Sequence, residues 1–558
     1  MPRTGLLRRP NLGGLVVALL FWWWSLAPLL LPRGWQAQAL VSGVCVAVGY
    51  LIGTVIGAVV HRILARLDRR PSDAARRGTW RAFGVLAIVL VVVGLIRWTP
   101  RQNDHRDLIG LAHISASAIV PMVIVTLIAT ALLAVIGRLV WAAVRWLQRV
   151  LARLLPGRVA TAIAVVLALL IGNWALSSAG SRMHSWANTT WGALEDDTDP
   201  DVTQPSASEV SGSPDSLVPW TDLGLQGRRF VAGATTADEL TQFNGARWDG
   251  TLPIRVYAGL RSGDTAAARA DVAVRELERT GAFDRKALVV WTVTGTGWVD
   301  PDAARAFEQM YSGNSAIVSQ QYSFLPSWMS TLVDGPVARD AGSALFDAVY
   351  RRWAELPESG RPKLYVFGLS LGSYGGEAAF TGTNATTSIA NMVARTDGVM
   401  FVGPTNGNQL WNQLTDERDA GSPAWRPVVD GGETVYFANQ LAELRDDPGA
   451  AWESPRVLYL QHPTDPVTFW NWQTMWSEPE WIQGELGRGV ARDASWVPFV
   501  TWAQLVADLS AGFGADPGFG HDYTDAYVAA WAAIAPPDGW TAADTDRLEA
   551  FLGEISDR

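Results

Sequence analysis

Cysteine is almost absent from this sequence: among 558 residues only Cys45 is a cysteine, and it lies inside an apolar run. A single cysteine excludes a disulfide within the chain and a Cys-ligated zinc site. Lysine is nearly as rare, with Lys286 and Lys363 as the two examples, so arginine carries most of the positive charge. The sequence has no Walker loop, zinc motif or dinucleotide fingerprint, and it therefore predicts neither a cofactor nor a metal.

Acidic residues are scarce in the first third of the chain. Residues 1–190 contain twenty Arg and four Asp, a formal charge of +16, and the remainder carries 25 basic and 50 acidic residues, a formal charge of −25. An acidic C-terminal part would repel nucleic-acid phosphate, and the N-terminal arginines lie between apolar stretches. We therefore expect no nucleic-acid binding, and we interpret the arginines as determinants of membrane orientation.

Five apolar stretches approach or exceed the length needed to cross a bilayer. None contains Asp or Glu, and transporters coupled to protons or ions usually keep an ionisable group near the middle of the membrane. The pattern predicts an anchoring or lipid-facing transmembrane domain over residues 1–190. Its five spans are residues 12–31, 37–60, 82–98, 108–137 and 159–177.

The distribution of arginine predicts how this domain is oriented. Arginines are concentrated in the N-terminus and in the second and fourth loops, and they are fewer in the first and third loops. Under the positive-inside rule the N-terminus is cytoplasmic, and five crossings place the rest of the chain outside the cytoplasm. The sequence thus predicts a multi-pass protein of the cell membrane. Residues 191–225, acidic and rich in Ser and Pro, are predicted to be a flexible tether.

From about residue 250, apolar β-rich runs alternate with helical patterns. Nearly continuous apolar strands separated by helices are typical of a parallel sheet covered on both faces. The sequence predicts a doubly wound α/β domain with a mostly parallel sheet over residues 226–558. Within it, residues 405–455 are a candidate cap. Residues 468–515 read as an aromatic insertion, because six tryptophans lie between Asp465 and His521.

A candidate nucleophile lies in the pentapeptide Gly-Leu-Ser-Leu-Gly at 368–372. It follows a β-rich run and precedes small, helix-compatible residues, which is the strand, sharp turn and helix that present a serine above a sheet. Glycines on both sides are required because the turn is strained and tightly packed. Ser370 is therefore the predicted nucleophile, and a small-residue turn that only packs a helix on the sheet is the structural alternative.

The base and the acid come from a short list. Six histidines exist, and only His462 and His521 lie well inside the C-terminal part. His521 is preferred because it lies in a glycine-rich loop, whereas His462 ends a strand close to the candidate acid. Asp465 follows that strand and gives the chain order Ser, Asp, His that α/β-hydrolases use; its alternative role is that of a turn residue before Pro466. Weaker acid candidates are Asp397 and Asp522.

An oxyanion hole needs backbone N–H groups directed at the developing negative charge. We expect one from Leu371, which directly follows the nucleophile. The second is expected from the glycine-rich loop after an early strand, from Thr294 to Trp298, where Thr296 is the first choice and Gly297 the next. Simple turn chemistry is the alternative explanation of that loop.

These motifs carry a family resemblance. Residues 294–298, 368–377, 462–467 and 518–523 resemble the α/β-hydrolase superfamily, and the whole chain is similar to a family of actinobacterial membrane proteins in which a multi-span domain precedes an α/β-hydrolase domain. The resemblance implies a hydrolase fold and a catalytic triad. The sequence departs from the HGGG oxyanion pattern that is common in esterases.

The predicted activity is esterase-like or lipase-like hydrolysis, in which Ser370, His521 and Asp465 form a triad. Tryptophans near the site and an adjacent bilayer favour a lipid or lipidated envelope substrate. Two alternatives stay open: an envelope acyltransferase that uses the same triad, and a non-catalytic membrane scaffold or transport accessory. The sequence does not determine the oligomeric state.

Overall fold

The computed structural model of the chain describes residues 10–67, 72–326, 329–330, 335–445 and 452–556. The chain divides into two compact units. The helical unit comprises residues 1–182 and 470–516, and the sheet unit comprises residues 183–469 and 517–558. Both units are therefore discontinuous in sequence, and residues 470–516, which we call the insertion, leave the sheet unit to join the helical one.

Among the described residues, four helices are long and apolar enough to cross a membrane. These helices are α2 Trp35–Arg66, α3 Asp73–Leu108, α4 Ile119–Leu151 and α5 Gly157–Leu194. They correspond in order to the second to fifth predicted spans, and each begins within its predicted span or before it. The first predicted span contains a shorter helix, α1 Leu12–Ser25. Its 14 residues cover about 21 Å, less than the roughly 30 Å of a hydrocarbon core. The helix ends there because Pro28 and Pro32 disfavour helical backbone before them.

Helix α1 packs closely along α2 through glycines. A Cβ added to Gly49 would lie 2.9 Å from the carbonyl oxygen of Val17, and one added to Gly53 would collide with the carbonyl oxygen of Gly13. Small residues four positions apart allow two helix backbones to approach each other. In the helical unit, α1 is the partner that this spacing accommodates.

The insertion belongs to the helical unit, which differs from the prediction that residues 468–515 form part of the C-terminal domain. Its main element, the insertion helix, is Val500–Gly512. Val500 and Ala503 of this helix pack against Val41 and Cys45 of α2. The insertion therefore belongs to the helical unit because it makes apolar contacts with residues of α2 that are distant from it in sequence.

The sheet unit is built on seven parallel strands in the order β1-β3-β2-β4-β5-β7-β6. The strands are β1 Ile254–Ala258, β2 Ala287–Thr292, β3 Ser315–Gln320, β4 Lys363–Leu369, β5 Gly398–Val402, β6 Val435–Ala438 and β7 Arg456–Leu460. The helices are α6 Gly224–Ala232, α7 Ala237–Asn244, α8 Ala266–Arg279, α9 Pro301–Met310, α10 Gly335–Ala354, α11 Leu371–Gly376, α12 Ala385–Val393, α13 Gln409–Asp416, α14 Leu441–Arg445, α15 Pro466–Phe469, α16 Tyr527–Ile534 and α17 Ala542–Ser556.

Both faces of the sheet are buried, as the apolar strands predict. Strand β2 illustrates this: Val289 and Trp291 face one apolar cluster, and Leu288 and Val290 face the other. Helices α9 and α16 cover the first face, and α8 and α10 cover the second. The predicted fold class, a helical bundle with apolar spans followed by a doubly wound α/β domain, is confirmed.

Two predicted boundaries differ from the structure. Part of the proposed tether packs on the sheet unit: Val210 is buried and bridges to Arg255 of β1, and Glu276 of α8 accepts hydrogen bonds from Ser216 Oγ and Leu217 N–H. The candidate cap at 405–455 contains β6, the edge strand of the sheet. A four-residue strand among Gly and Asp residues gives a weak signal in sequence.

Candidate functional site

Ser370 lies at the sharp turn between β4 and α11. Its φ of +57° is strained for a residue with a side chain. The flanking glycines make the turn possible: a Cβ at Gly368 would collide with the carbonyl of Gly372, and a Cβ at Gly372 would collide with the carbonyl oxygen of Thr292 in β2. The Ser370 N–H donates to the carbonyl oxygen of Val402, the last residue of β5, at 2.9 Å. The turn is thus fixed between the carboxyl ends of β2, β4 and β5.

Asp465 occupies the loop that follows β7. Its side chain is fully buried, and its N–H closes a turn by donating to the carbonyl of His462 at 3.0 Å. The carboxylate accepts the Val467 N–H on Oδ1 at 2.8 Å. On Oδ2 it accepts the Tyr523 hydroxyl at 2.8 Å and pairs with Nδ1 of His521 at 2.6 Å. The predicted acid and the predicted base are therefore in direct contact, although 56 residues separate them.

His521 is held by a glycine-rich loop, in which Gly518 and Gly520 have φ of +87° and +55°. The Gly520 N–H donates to Thr464 Oγ1 at 2.9 Å, which joins this loop to the one that carries Asp465. The imidazole packs on Gly403, where an added Cβ would lie 2.6 Å from Cε1 of His521. Gly403 directly follows Val402, the residue that accepts the Ser370 N–H. Ser370 and His521 thus both contact the carboxyl end of β5.

The predicted oxyanion loop follows β2, the neighbour of β4 in the sheet. It is a tight turn in which the Gly297 N–H donates to Thr294 O at 3.0 Å. Gly297, at φ +83°, has its carbonyl fixed by the Tyr257 hydroxyl at 2.8 Å. Within the described parts of the chain, the N–H groups of Leu371 and Thr296 donate no hydrogen bond. Both N–H groups therefore lack an acceptor within the described parts of the chain.

A buried polar network supports the elbow from below. Ser373 Oγ donates to the carbonyl of Ser370 at 2.6 Å, and Asn408 Nδ2 donates to Ser373 Oγ at 3.0 Å. Glu377 accepts the Leu410 N–H at 3.1 Å and the Tyr459 hydroxyl at 2.9 Å. Burial raises the pKa of Glu377 to about 7, against the opposing effect of hydrogen bonds such as that from Asn408. Sequence reasoning missed this network, although an acidic residue in a run of small ones at 371–379 is a recognisable signal.

The other candidates of the sequence have different positions. His462 stacks on Tyr523 at 4.1 Å, and its Nδ1 lies 3.1 Å from the carbonyl of Gly520, so it braces the base loop. Asp397 accepts the Leu364 N–H at the start of β4, whereas Ser370 follows the other end of this strand. Asp522 accepts the N–H and hydroxyl of Thr524. Tyr523 and Gly403, which contact the Asp465 and His521 pair, were not predicted.

No set of three His, Cys, Asp or Glu side chains that could hold a metal occurs in the described part of the chain. Family comparisons agree with the fold. Residues 254–548 match a model described as "Alpha/beta-hydrolase family", and residues 26–234 match one described as "Alpha/beta-hydrolase family N-terminus". No curated protein and no solved structure matches the chain.

Proposed function

Because the chain belongs to the α/β-hydrolase family, we propose that it is a membrane-integral serine hydrolase that cleaves an ester of a lipid or of a lipidated envelope component. Family membership itself indicates hydrolase activity. The observation that carries the finer proposal is the 2.6 Å contact between Asp465 and Nδ1 of His521, in a loop that packs at the same strand end as the strained Ser370. We assign Ser370 as nucleophile, His521 as base and Asp465 as the residue that orients the base.

The hydrogen bond to Asp465 determines which imidazole nitrogen can act. With its proton on Nδ1 directed at the carboxylate, the neutral ring keeps a lone pair on Nε2. Nε2 takes the proton of Ser370 as Oγ attacks the ester carbonyl, and then returns that proton to the leaving alcohol. Asp465 stabilises the imidazolium in between. The additional Tyr523 hydroxyl and Val467 N–H hold the carboxylate in place. Water releases the acyl group by the reverse sequence.

The tetrahedral intermediate carries a negative oxygen that needs donors already in position. The free N–H groups of Leu371 and Thr296 are assigned to this role. The glycine conformation at 297 supports it, because an added Cβ would lie 2.6 Å from the Tyr257 hydroxyl and disturb the turn. Both amides belong to backbone fixed by neighbouring strands, so little reorganisation is needed during the reaction.

The apolar helices support a membrane location, and contacts inside the helical unit support its orientation. The insertion, continuous in sequence with the catalytic residues, contacts two Arg-poor regions: the Ala491 N–H donates to Leu29 O between α1 and α2, and His105 near the end of α3 bonds to Gly489 O. The arginines at the end of α2 and the start of α3, such as Arg66 and Arg76, lie at the opposite helix ends. Under the positive-inside rule the insertion, and with it the catalytic domain, is extracytoplasmic. This orientation does not depend on whether α1 crosses the bilayer.

The direct test is trapping of an acyl-enzyme on the purified full-length protein in nanodiscs. With a p-nitrophenyl ester we expect a burst of one nitrophenol per active site, followed by steady hydrolysis. Ser370→Ala should lose both phases, and His521→Ala should slow both strongly. A Ser370→Ala protein that hydrolyses the ester as the wild type does would exclude the assignment. Addition of a lipid alcohol then distinguishes hydrolysis from acyl transfer, since a transferase would form a new ester.

A further inference from the structure

The insertion helix lies beside the apolar part of α2. Its Val500 and Ala503 pack against Val41 and Cys45, and the preceding Phe499 stacks with Phe21 of α1 at 6.4 Å. Cys45 is ten residues into α2, which corresponds to about 15 Å along the helix axis. A bilayer leaflet provides about 15 Å of hydrocarbon. Counted from the start of α2, the insertion helix therefore packs about one leaflet deep along this helix.

The polar side chains of the insertion helix are directed at protein partners. Gln504 Nε2 donates to the carbonyl of Ala27 at 2.8 Å. Asp508 is completely buried, accepts the Leu30 N–H on Oδ2 at 3.2 Å, and has Oδ1 3.3 Å from Nε of Arg33. Ser510 donates back to the carbonyl of Ala507. Placement of these side chains against partners inside the protein suits a helix in lipid, whereas a helix in water has no such need.

The outward surface of residues 470–476 and 499–513 is mainly apolar and aromatic. Val506 is 40% exposed and Phe513 59%. Trp472 and Trp476 are 53% and 64% exposed, and Trp472 stacks on Trp502 of the insertion helix at 5.3 Å. Exposed tryptophans beside an apolar face are typical of the interface between headgroups and acyl chains. The exposed charged residues of the insertion lie outside residues 470–476 and 499–513, and Glu478, Arg492, Asp493 and Asp516 are among them.

We infer that residues 470–476 and 499–513 form a re-entrant element immersed in the lipid leaflet at the outer ends of α1 and α2, which contacts acyl chains through Val506 and Phe513 and the headgroup boundary through Trp472 and Trp476. The occupant of this surface is the bilayer itself. The inference rests on the proposed membrane placement and is independent of the chemistry at Ser370.

Nitroxide labelling tests this directly, because Cys45 is the single cysteine. In a Cys45→Ala background, cysteines replace Trp472, Trp476, Val506 or Phe513 one at a time, and the labelled full-length protein is placed in phosphatidylcholine and phosphatidylglycerol vesicles. Collision with oxygen reports lipid, and collision with a nickel chelate reports water. Leu127→Cys, on an exposed position of α4, is the lipid control, and Arg492→Cys is the aqueous control.

We expect labels at 506 and 513 to favour oxygen as the label at 127 does, and labels at 472 and 476 to be intermediate. Labels at all four positions that are as accessible to nickel as the label at 492, with 127 still in lipid, would overturn this inference and leave the proposed function intact. A label at 127 that is itself in water would overturn the membrane placement, and this inference with it. Unchanged size-exclusion profiles and circular dichroism spectra show that each labelled protein is folded.

Discussion

Replacing Gly403 by alanine should displace the imidazole of His521 without unfolding the protein. An added Cβ would lie 2.6 Å from Cε1 and 3.0 Å from Nδ1 of the ring. Ordinary contacts begin at 3.4 Å, so the ring would have to move by about 0.8 Å. The 2.6 Å hydrogen bond to Asp465 opposes that movement. The substitution therefore either shifts the base or breaks its bond to the acid.

The magnitude follows from this displacement. A misplacement of about 1 Å in a reacting group costs about 100-fold in rate. Gly403 also has φ of +50°, and a left-handed conformation costs alanine about 1 to 2 kcal/mol of folding stability. We expect kcat/KM for a short-chain p-nitrophenyl ester to fall by about 50- to 100-fold, and the midpoint of thermal unfolding to fall by only a few degrees.

Gly431→Ala is the matched control. Gly431 has φ of +67°, and a Cβ there would meet no atom within 4 Å. It should lose similar stability and keep its activity. Both variants are compared in detergent micelles by ester hydrolysis and by the rate of fluorophosphonate labelling. Equal rates in Gly403→Ala and Gly431→Ala would refute the placement of His521 on Gly403 as a requirement of catalysis.

Three further predictions concern buried groups of the sheet unit. Burial raises the pKa of Glu377 from 4.5 to about 7, so between these pH values the folded state holds a proton that the unfolded chain releases. The free energy of unfolding should therefore fall by about 3 kcal/mol between pH 4.5 and 7 from this group. Urea titrations of Glu377→Gln should lack this component, and a pH dependence equal to that of the wild type would contradict the prediction. Tyr523→Phe removes a hydrogen bond to Asp465, and kcat/KM should fall about tenfold, which is about 1.4 kcal/mol. Tyr527→Phe, the control, removes a similar buried bond to Asp300 and should keep kcat/KM. Equal losses in the two variants would argue against a specific role of Tyr523 in catalysis. Glu308→Ala leaves Arg255 buried without its bidentate partner. It should lower the unfolding free energy by about 3 to 5 kcal/mol and leave kcat of the folded fraction unchanged. A loss of stability below 1 kcal/mol would show that the ion pair is not desolvated.

The sheet could be predicted from sequence because its signals are local. Runs such as residues 287–291 are apolar throughout, which marks a strand buried on both faces. The turn at Ser370 could be predicted for the same reason, since its strand, glycines and helix are adjacent in the chain. Asp465 and His521 needed only chain order and the small number of histidines. The short edge strand β6 was missed because four residues carry little periodicity.

The residues that brace the site could not be predicted in the same way. Gly403 and Tyr523 matter because β5 and the base loop meet in space, and nothing near them in sequence indicates this. The insertion presents the same difficulty on a larger scale: residues 470–516 pack against α1 and α2 through contacts such as Asp508 with Leu30. An aspartate and a glutamine inside an otherwise apolar helix are the one local hint of such a partner. The early end of α1, by contrast, could have been predicted from Pro28.

Identification of the residue that reacts with a fluorophosphonate tests the central claim most directly. The full-length protein in nanodiscs is labelled and digested, and the modified peptide is sequenced by tandem mass spectrometry. The proposed chemistry predicts one adduct per chain, on Ser370, whose formation is abolished in Ser370→Ala and slowed strongly in His521→Ala. An adduct on another serine, or none on a folded protein, would contradict it.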